Sequence, residues 1–115
     1  VVGGRSSGAR VACRTAAACG ADAVLALAFP VHPPGKPDKS RLDELDHVTV
    51  PVLVVQGDRD PFGMPPGRRG RRVVVVAGDH SLGRDSAAVA AAVSSFLAAR
   101  VKFEPANRAG AVRST

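Results

Sequence analysis

Three segments of the chain carry side chains that could act together as a nucleophile, a base and an acid. Near the start, the pentapeptide GRSSG has Ser6 at its centre, and further along GDRD contains Asp60 and GDHSL contains His80. Serine is a poor nucleophile until a base removes its proton. Histidine titrates near neutrality and can take that proton when a carboxylate orients its ring. The order serine, acid, histidine therefore favours nucleophilic attack on an acyl group.

The spacing G-x-S-x-G is typical of a sharp strand-to-helix turn with the serine at its apex. Here it follows a valine pair, Val1 and Val2, which we interpret as the stub of a strand. We expect Gly4 and Gly8 both to be required because a Cβ at either position would clash with the neighbouring strand or helix. The helix that begins behind the serine favours developing negative charge at the hydroxyl.

The elements that must position these residues alternate between helix and strand signals. We predict strands over 23–28, 50–55 and 73–77, and helices over 7–19, 41–46 and 85–99. Gly20 is expected to close the first helix, and Asp85 to cap the last one. The alternation predicts an α/β fold with a mainly parallel sheet, whose site lies at the carboxyl ends of the strands. Each candidate residue follows a predicted strand.

Composition narrows the functional classes. The 115 residues suffice for one small domain, and with 45% hydrophobic but only 3% aromatic residues its core must consist of valine, alanine and leucine. No apolar run approaches the ~18 residues of a membrane span, so we expect a cytoplasmic protein. Cys13 and Cys19 are predicted to be small buried residues of a reducing compartment. No zinc-ligand spacing occurs, and no metal or cofactor is expected.

The net charge is +6, and part of the positive charge lies in the block of arginines at residues 68–72. Such a block could bind nucleic acid or a membrane surface. Neither aromatic residues for base stacking nor a nucleic-acid-binding signature accompanies it. We therefore expect a solvated loop and no nucleic-acid partner.

Four strings together, VVGGRSSGAR, FPVHPPGKP, VPVLVVQGDRDPFG and GDHSL, resemble the small α/β-hydrolases related to dienelactone hydrolase. That group includes bacterial hydrolases, a testis-expressed protein and a scaffold subunit of a histone-acetyltransferase complex. HPPGKP and DPFG are more specific to it than the pentapeptide. The resemblance covers residues 1–97 and implies an eight-stranded sheet, of which this chain would hold the last four strands with flanking helices. On this basis we expect a partial sequence, the C-terminal half of a hydrolase domain.

The resemblance also implies roles for individual residues. Ser6 matches the nucleophile, Asp60 the acid and His80 the base, while Asp58 is the alternative acid. The backbone N–H of Ser7 matches one oxyanion donor. The second donor of the family follows an earlier strand that this chain does not contain.

Two residues near the expected mouth of the site have alternative interpretations. His32 either faces the substrate or makes a hydrogen bond within its proline-rich loop, and we favour the loop. Arg5 either meets an anionic substrate or supports the scaffold, and we favour the scaffold. His47 precedes a strand and is expected to be exposed or to cap a helix.

The favoured function is that of a serine hydrolase acting on a small-molecule ester or other acyl bond. The alternative is a non-catalytic hydrolase-fold module that binds a protein, as the scaffold relative suggests. We expect residues 1–99 to form the hydrolase part and residues 100–115 a disordered tail. Because the first strand would leave an unpaired sheet edge, self-association is also expected.

Overall fold

The chain folds into one parallel sheet with helices on both faces. This computed structural model describes residues 1–100. In chain order the elements are β1 (Val2–Arg5), α1 (Ser7–Thr15), β2 (Val24–Leu27), α2 (Leu42–Asp46), β3 (Val52–Gly57), β4 (Arg71–Val76) and α3 (Ser86–Arg100). The strands pair in the order β1-β2-β3-β4, and every pair is parallel. The predicted α/β class is confirmed. The predicted tail lies outside the described residues, apart from Arg100, which ends α3.

Strand β1 is longer than the two-residue stub predicted from the valine pair. Gly3, Gly4 and Arg5 continue it, because they pair in register with β2 from Leu25 to Leu27. Glycines weaken the local strand signal, and the pairing with β2 overrides it. The strand therefore runs directly into Ser6, whose N–H donates to the Leu27 carbonyl at 2.9 Å.

Helix α1 is amphipathic and places a small-residue face on the sheet. Ala9, Ala12 and Cys13 are buried on that face. The chain continues in turns beyond Thr15, and these turns end in a Schellman motif. In it, the Gly20 amide donates to the carbonyl of residue 17 and the Ala21 amide to that of residue 16. Gly20 has a φ of 67° and closes these turns, whereas α1 itself ends at Thr15 and not at the predicted residue 19.

The sheet separates two hydrophobic clusters. One contains the buried face of α1 together with Phe29 and Leu45, and the other lies under α3 and contains Leu53, Val55 and Val76. All six residues of β3 are buried, as expected for a central parallel strand.

Asp85 accepts a hydrogen bond from the Ala88 amide at 3.0 Å, which confirms it as the cap of α3. Within residues 1–100, none of the helices combines the length and apolar character needed to cross a membrane.

The arginine block is not a solvated loop throughout: the prediction of a loop is wrong for Arg71 and Arg72, which belong to β4, and the prediction of a solvated side chain is wrong for Arg71. Strand β4 begins at this residue, and its side chain is only 3% exposed. The guanidinium forms an ion pair with Asp46 and donates to the Pro66 carbonyl at 3.0 Å. Arg68 pairs with the same carboxylate at 3.2 Å, whereas Arg69 and Arg72 are exposed. The ion pair with Asp46 of α2 offsets the free-energy cost of burying the Arg71 charge. The spacing of residues in the sequence does not reveal this pairing.

Candidate active site

The three candidate residues lie together at the carboxyl ends of the strands. Ser6 follows β1, Asp60 follows β3 and His80 follows β4. The Ser6 Oγ lies 2.8 Å from His80 Nε2, and His80 Nδ1 lies 2.8 Å from Asp60 Oδ2. An ionised carboxylate only accepts hydrogen bonds, so Nδ1 carries the proton and Nε2 accepts from the serine hydroxyl. The arrangement can transfer a proton from the hydroxyl to the ring.

Ser6 occupies a strained turn between β1 and α1. Its φ and ψ are 56° and −118°, a region that residues with a Cβ rarely adopt. A Cβ on Gly4 would lie 2.3 Å from the backbone of Gly8, so Gly4 is sterically required. A Cβ on Gly8 would meet nothing within 4 Å, and the prediction of a clash there is wrong. The turn depends on the close approach of the Gly8 backbone, not on space for its side chain.

Helix α1 begins immediately after the nucleophile candidate, at Ser7. Among the described residues, no acceptor receives a hydrogen bond from the Ser7 N–H. The first amides of a helix have no partner within it and carry the positive end of its dipole. The Ser7 N–H is thus available to an oxyanion that forms beside Ser6.

Backbone strain is concentrated at this end of the sheet. Ser6, Ala28 and Leu82 are the non-glycine residues of the described chain that have positive φ. Ala28 directly follows β2, and Leu82 lies in the loop that carries His80. Strain of this kind is maintained only where surrounding contacts impose it, and it is often found at functional sites.

The two acidic candidates have different contacts. The side chain of Asp60 is fully buried, and its second oxygen, Oδ1, accepts from the Phe62 amide at 2.8 Å. Asp58 is exposed and accepts instead from the Gly78 amide at 2.9 Å. Asp58 therefore joins the two loops through the backbone, and only Asp60 contacts the imidazole.

The loop that carries His80 is shaped by local hydrogen bonds. Asp79 accepts from both the amide and the hydroxyl of Ser81, at 3.0 Å and 2.7 Å. The hydroxyl contact lowers the pKa of the Asp79 carboxyl below its ordinary value. Arg5, one residue before Ser6, donates to the Ser81 carbonyl at 3.2 Å. Arg5 thus connects the serine turn to the histidine loop, in agreement with the scaffold interpretation.

The other two histidines make contacts within loops or with a helix end. His32 Nδ1 donates to the Pro33 carbonyl at 2.8 Å, and its ring lies against Gly63. This position corresponds to the loop-packing interpretation. His47 follows α2 and donates from Nδ1 to the Asp43 carbonyl at 2.6 Å, so it caps that helix.

Sequence reasoning missed Gln56, which lies fully buried at the end of β3. Its side chain accepts from the Phe29 amide and donates to the carbonyls of Phe29 and Gly63, at 2.9, 2.7 and 2.8 Å. The available signal was a single polar residue at the end of the apolar run VPVLVV, where burial requires hydrogen-bond partners.

A cleft of about 900 Å³ lies between α3 and the first residues of β3 and β4. Its lining includes Val52, Arg71 and Phe96 but none of the three candidate residues. The cleft is at the amino ends of the strands, and the candidate site is at the carboxyl ends. In the described part of the chain, no group of three or more histidine, cysteine or acidic residues could hold a metal ion.

The family model described as "Alpha/beta hydrolase domain" matches residues 1–99. Comparisons with curated proteins and with solved structures gave no match. The matched range contains all the elements that position Ser6, Asp60 and His80.

Proposed function

The chain belongs to the α/β-hydrolase domain family, and from this premise we propose that it is a serine hydrolase of carboxylic esters or related acyl bonds. Ser6 is the nucleophile, His80 the general base and Asp60 the orienting acid. The observation that carries the proposal is the continuous pair of 2.8 Å contacts from Ser6 Oγ through the imidazole to Asp60.

In the first half of the proposed reaction, Ser6 Oγ attacks the carbonyl carbon of the substrate while Nε2 of His80 takes its proton. The carbonyl oxygen becomes an oxyanion, and the Ser7 N–H donates a hydrogen bond to it. Asp60 stabilises the imidazolium and holds Nδ1 as a donor. Collapse of the tetrahedral intermediate breaks the ester C–O bond, and Nε2 returns the proton to the departing alcohol. The product is an acyl ester of Ser6.

In the second half, water replaces the alcohol. Nε2 of His80 removes a proton from the water as its oxygen attacks the acyl carbon. The bond to Ser6 Oγ then breaks, the serine regains a proton from the ring, and the carboxylic acid is released. Every proton transfer uses the same nitrogen, which lies 2.8 Å from the serine oxygen.

We also propose that the chain belongs to the dienelactone-hydrolase-related group. The two strings specific to that group, HPPGKP and DPFG, contact each other in the fold. Their contact supports the proposal, because the two strings then form one local structure. The His32 amide donates to the Phe62 carbonyl at 3.0 Å, and the His32 ring lies against Gly63.

A fluorophosphonate probe, which reacts covalently with activated serines, tests the proposal. The native chain should be labelled, and Ser6→Ala should not be. Ser7→Ala is the matched control, because it removes a neighbouring exposed hydroxyl but keeps the backbone N–H. A chain that melts cooperatively but is not labelled would refute the hydrolase proposal and favour a non-catalytic interaction module.

The two acids give a second matched pair. Asp60→Asn should slow labelling on the order of 10³- to 10⁴-fold, because the Phe62 N–H would hold the amide oxygen and leave the NH2 group facing His80 Nδ1, which favours the wrong tautomer of the ring. Asp58→Asn should be labelled at nearly the native rate, because an amide oxygen can still accept from Gly78. Equal loss in both variants would argue against Asp60 as the orienting acid.

A further inference from the structure

We propose that Gln56 is a positioning residue for this site, holding the loop of Asp60 and Phe62 against His80. The inference deepens the proposed hydrolase function and rests on it for its kinetic consequence. Its structural content, the position of the acid loop, is independent of any reaction.

The Gln56 side chain joins two loops that leave neighbouring strands. Phe29 lies two residues beyond the end of β2, and Gly63 lies six residues beyond the end of β3. The amide of Gln56 contacts the backbone of both, with all three distances between 2.7 and 2.9 Å. Two N–H donors and one carbonyl acceptor are used together, which no other side chain of this size can reproduce.

The contact with Gly63 fixes the end of a short segment that begins at Asp60. Between these residues, the Phe62 amide donates to Asp60 Oδ1 at 2.8 Å, and the Phe62 ring stacks on His80. The Gly63 amide donates back to the Asp60 carbonyl at 3.1 Å, which closes the segment as a turn. A displacement of the Gly63 carbonyl would therefore move both the carboxylate and the aromatic ring that contact the imidazole.

The surroundings of Gln56 make the contact difficult to replace. The side chain is fully buried, so water cannot replace its N–H groups as donors to the Phe29 and Gly63 carbonyls. On the other side, Gly63 has a φ of 98°, and a Cβ there would lie 2.8 Å from His32 Nε2. The segment is thus confined between Gln56 and the His32 ring.

Gln56→Glu is the sharpest test, because it keeps the size of the side chain and the acceptor for the Phe29 amide. The second carboxyl oxygen would face the Phe29 and Gly63 carbonyls, and even when protonated it could donate to only one of them. We expect fluorophosphonate labelling to slow about 10- to 100-fold, the effect of a small misplacement of catalytic groups. Hydrogen exchange of the Phe62 amide should accelerate, while the amides of β3 remain protected.

Val54→Ala is the control for a general loss of stability, because Val54 is buried in the same strand, two residues before Gln56, and belongs to the apolar cluster under α1. At a temperature where both variants are folded, it should retain native labelling and Phe62 protection. Equal losses in Val54→Ala and Gln56→Glu would overturn the positioning role. So would a folded Gln56→Glu with a native labelling rate and a protected Phe62 amide.

A second variant decides the question if Gln56→Glu does not fold. Gly63→Ala changes only the loop. Its Cβ would meet the His32 ring and strain a backbone with a φ of 98°, so we expect it to displace the carbonyl held by Gln56. It should accelerate exchange at Phe62 and slow labelling, and native values of both would overturn the inference. Because exchange at Phe62 needs no activity, the positioning role is tested even if the native chain fails to react with the probe.

Discussion

The ring of Phe62 stacks on the imidazole of His80, with centroids 4.1 Å apart and planes inclined by 29°. The same residue donates its amide to Asp60, so one residue contacts both the base and the acid of the candidate site. The stack limits the rotation of the imidazole out of the plane that points Nε2 at Ser6.

Replacement of Phe62 by leucine should therefore impair the site without unfolding the chain. Aromatic stacking contributes about 0.5–1.5 kcal/mol, so fluorophosphonate labelling should slow by roughly 2- to 12-fold. Phe62→Tyr preserves the ring and should remain close to the native rate. The rate constant of labelling is the measurement, and equal rates for leucine and phenylalanine would contradict a role for the stack.

The two glycines of the serine turn should respond oppositely to alanine. Gly4→Ala should destabilise the chain and abolish labelling, because the new Cβ would lie 2.3 Å from the Gly8 backbone. Gly8→Ala has open space and lies within α1, where alanine is favoured over glycine by about 0.8–1.0 kcal/mol. Chemical denaturation of both variants measures the difference. A destabilised Gly8→Ala would indicate that the helix start needs glycine for another reason.

Acid should remove the stabilisation that links α1 to α2. Arg10 donates two hydrogen bonds to Glu44, at 2.9 Å and 2.8 Å, and these lower the pKa of the Glu44 carboxyl below its ordinary value of 4.5. A lowered folded-state pKa means that the contribution is fully present above the unfolded value and is lost as the pH falls through the folded value.

Glu44→Gln should thus lower the free energy of unfolding at neutral pH by roughly 1–2 kcal/mol, the range for a partly exposed, charge-assisted pair. The difference from the native chain should shrink in acid. Urea unfolding of both chains, from neutral pH down through the pKa of Glu44, measures this difference in the free energy of unfolding. Asp38→Asn, which removes an exposed carboxylate, is the control. A difference that does not depend on pH would exclude the ion pair as its source.

The two thiols should differ in reactivity. Cys13 is buried between α1 and the sheet, and burial raises the pKa of its thiol to about 11. Cys19 is exposed in the turn after α1, so the prediction that both cysteines are buried is wrong for this residue. A thiol reagent should modify one cysteine per native chain and two after denaturation, and native Cys19→Ser should not react. Rapid modification of native Cys19→Ser would show that α1 opens.

The sequence was most informative where local pattern and chain order act together. Valine-rich runs identified β3 and β4, and the GRSSG, GDRD and GDHSL strings each follow a strand. Because parallel strands bring their carboxyl ends to one edge, the sequence alone predicts the proximity of Ser6, Asp60 and His80.

What the sequence could not reveal depends on partners distant in the chain. Arg71 and Arg72 are indistinguishable within their basic run, yet Arg71 is buried and pairs with Asp46 whereas Arg72 is exposed. Gln56 likewise has partners on two other segments. Such polar contacts have no periodicity, so neither hydrophobic pattern nor spacing can predict them.

Ser6 and His80 are 74 residues apart in the chain, yet they share a hydrogen bond. Because the order of the strands in the sheet follows their order in the chain, β2 and β3 must be in place before β1 and β4 can present these residues to each other. Contacts between such distant segments form slowly, since a long loop must first close. A half-assembled chain therefore lacks the contact between Ser6 and His80, and under the proposed function its serine becomes reactive only when the last strand has joined the sheet.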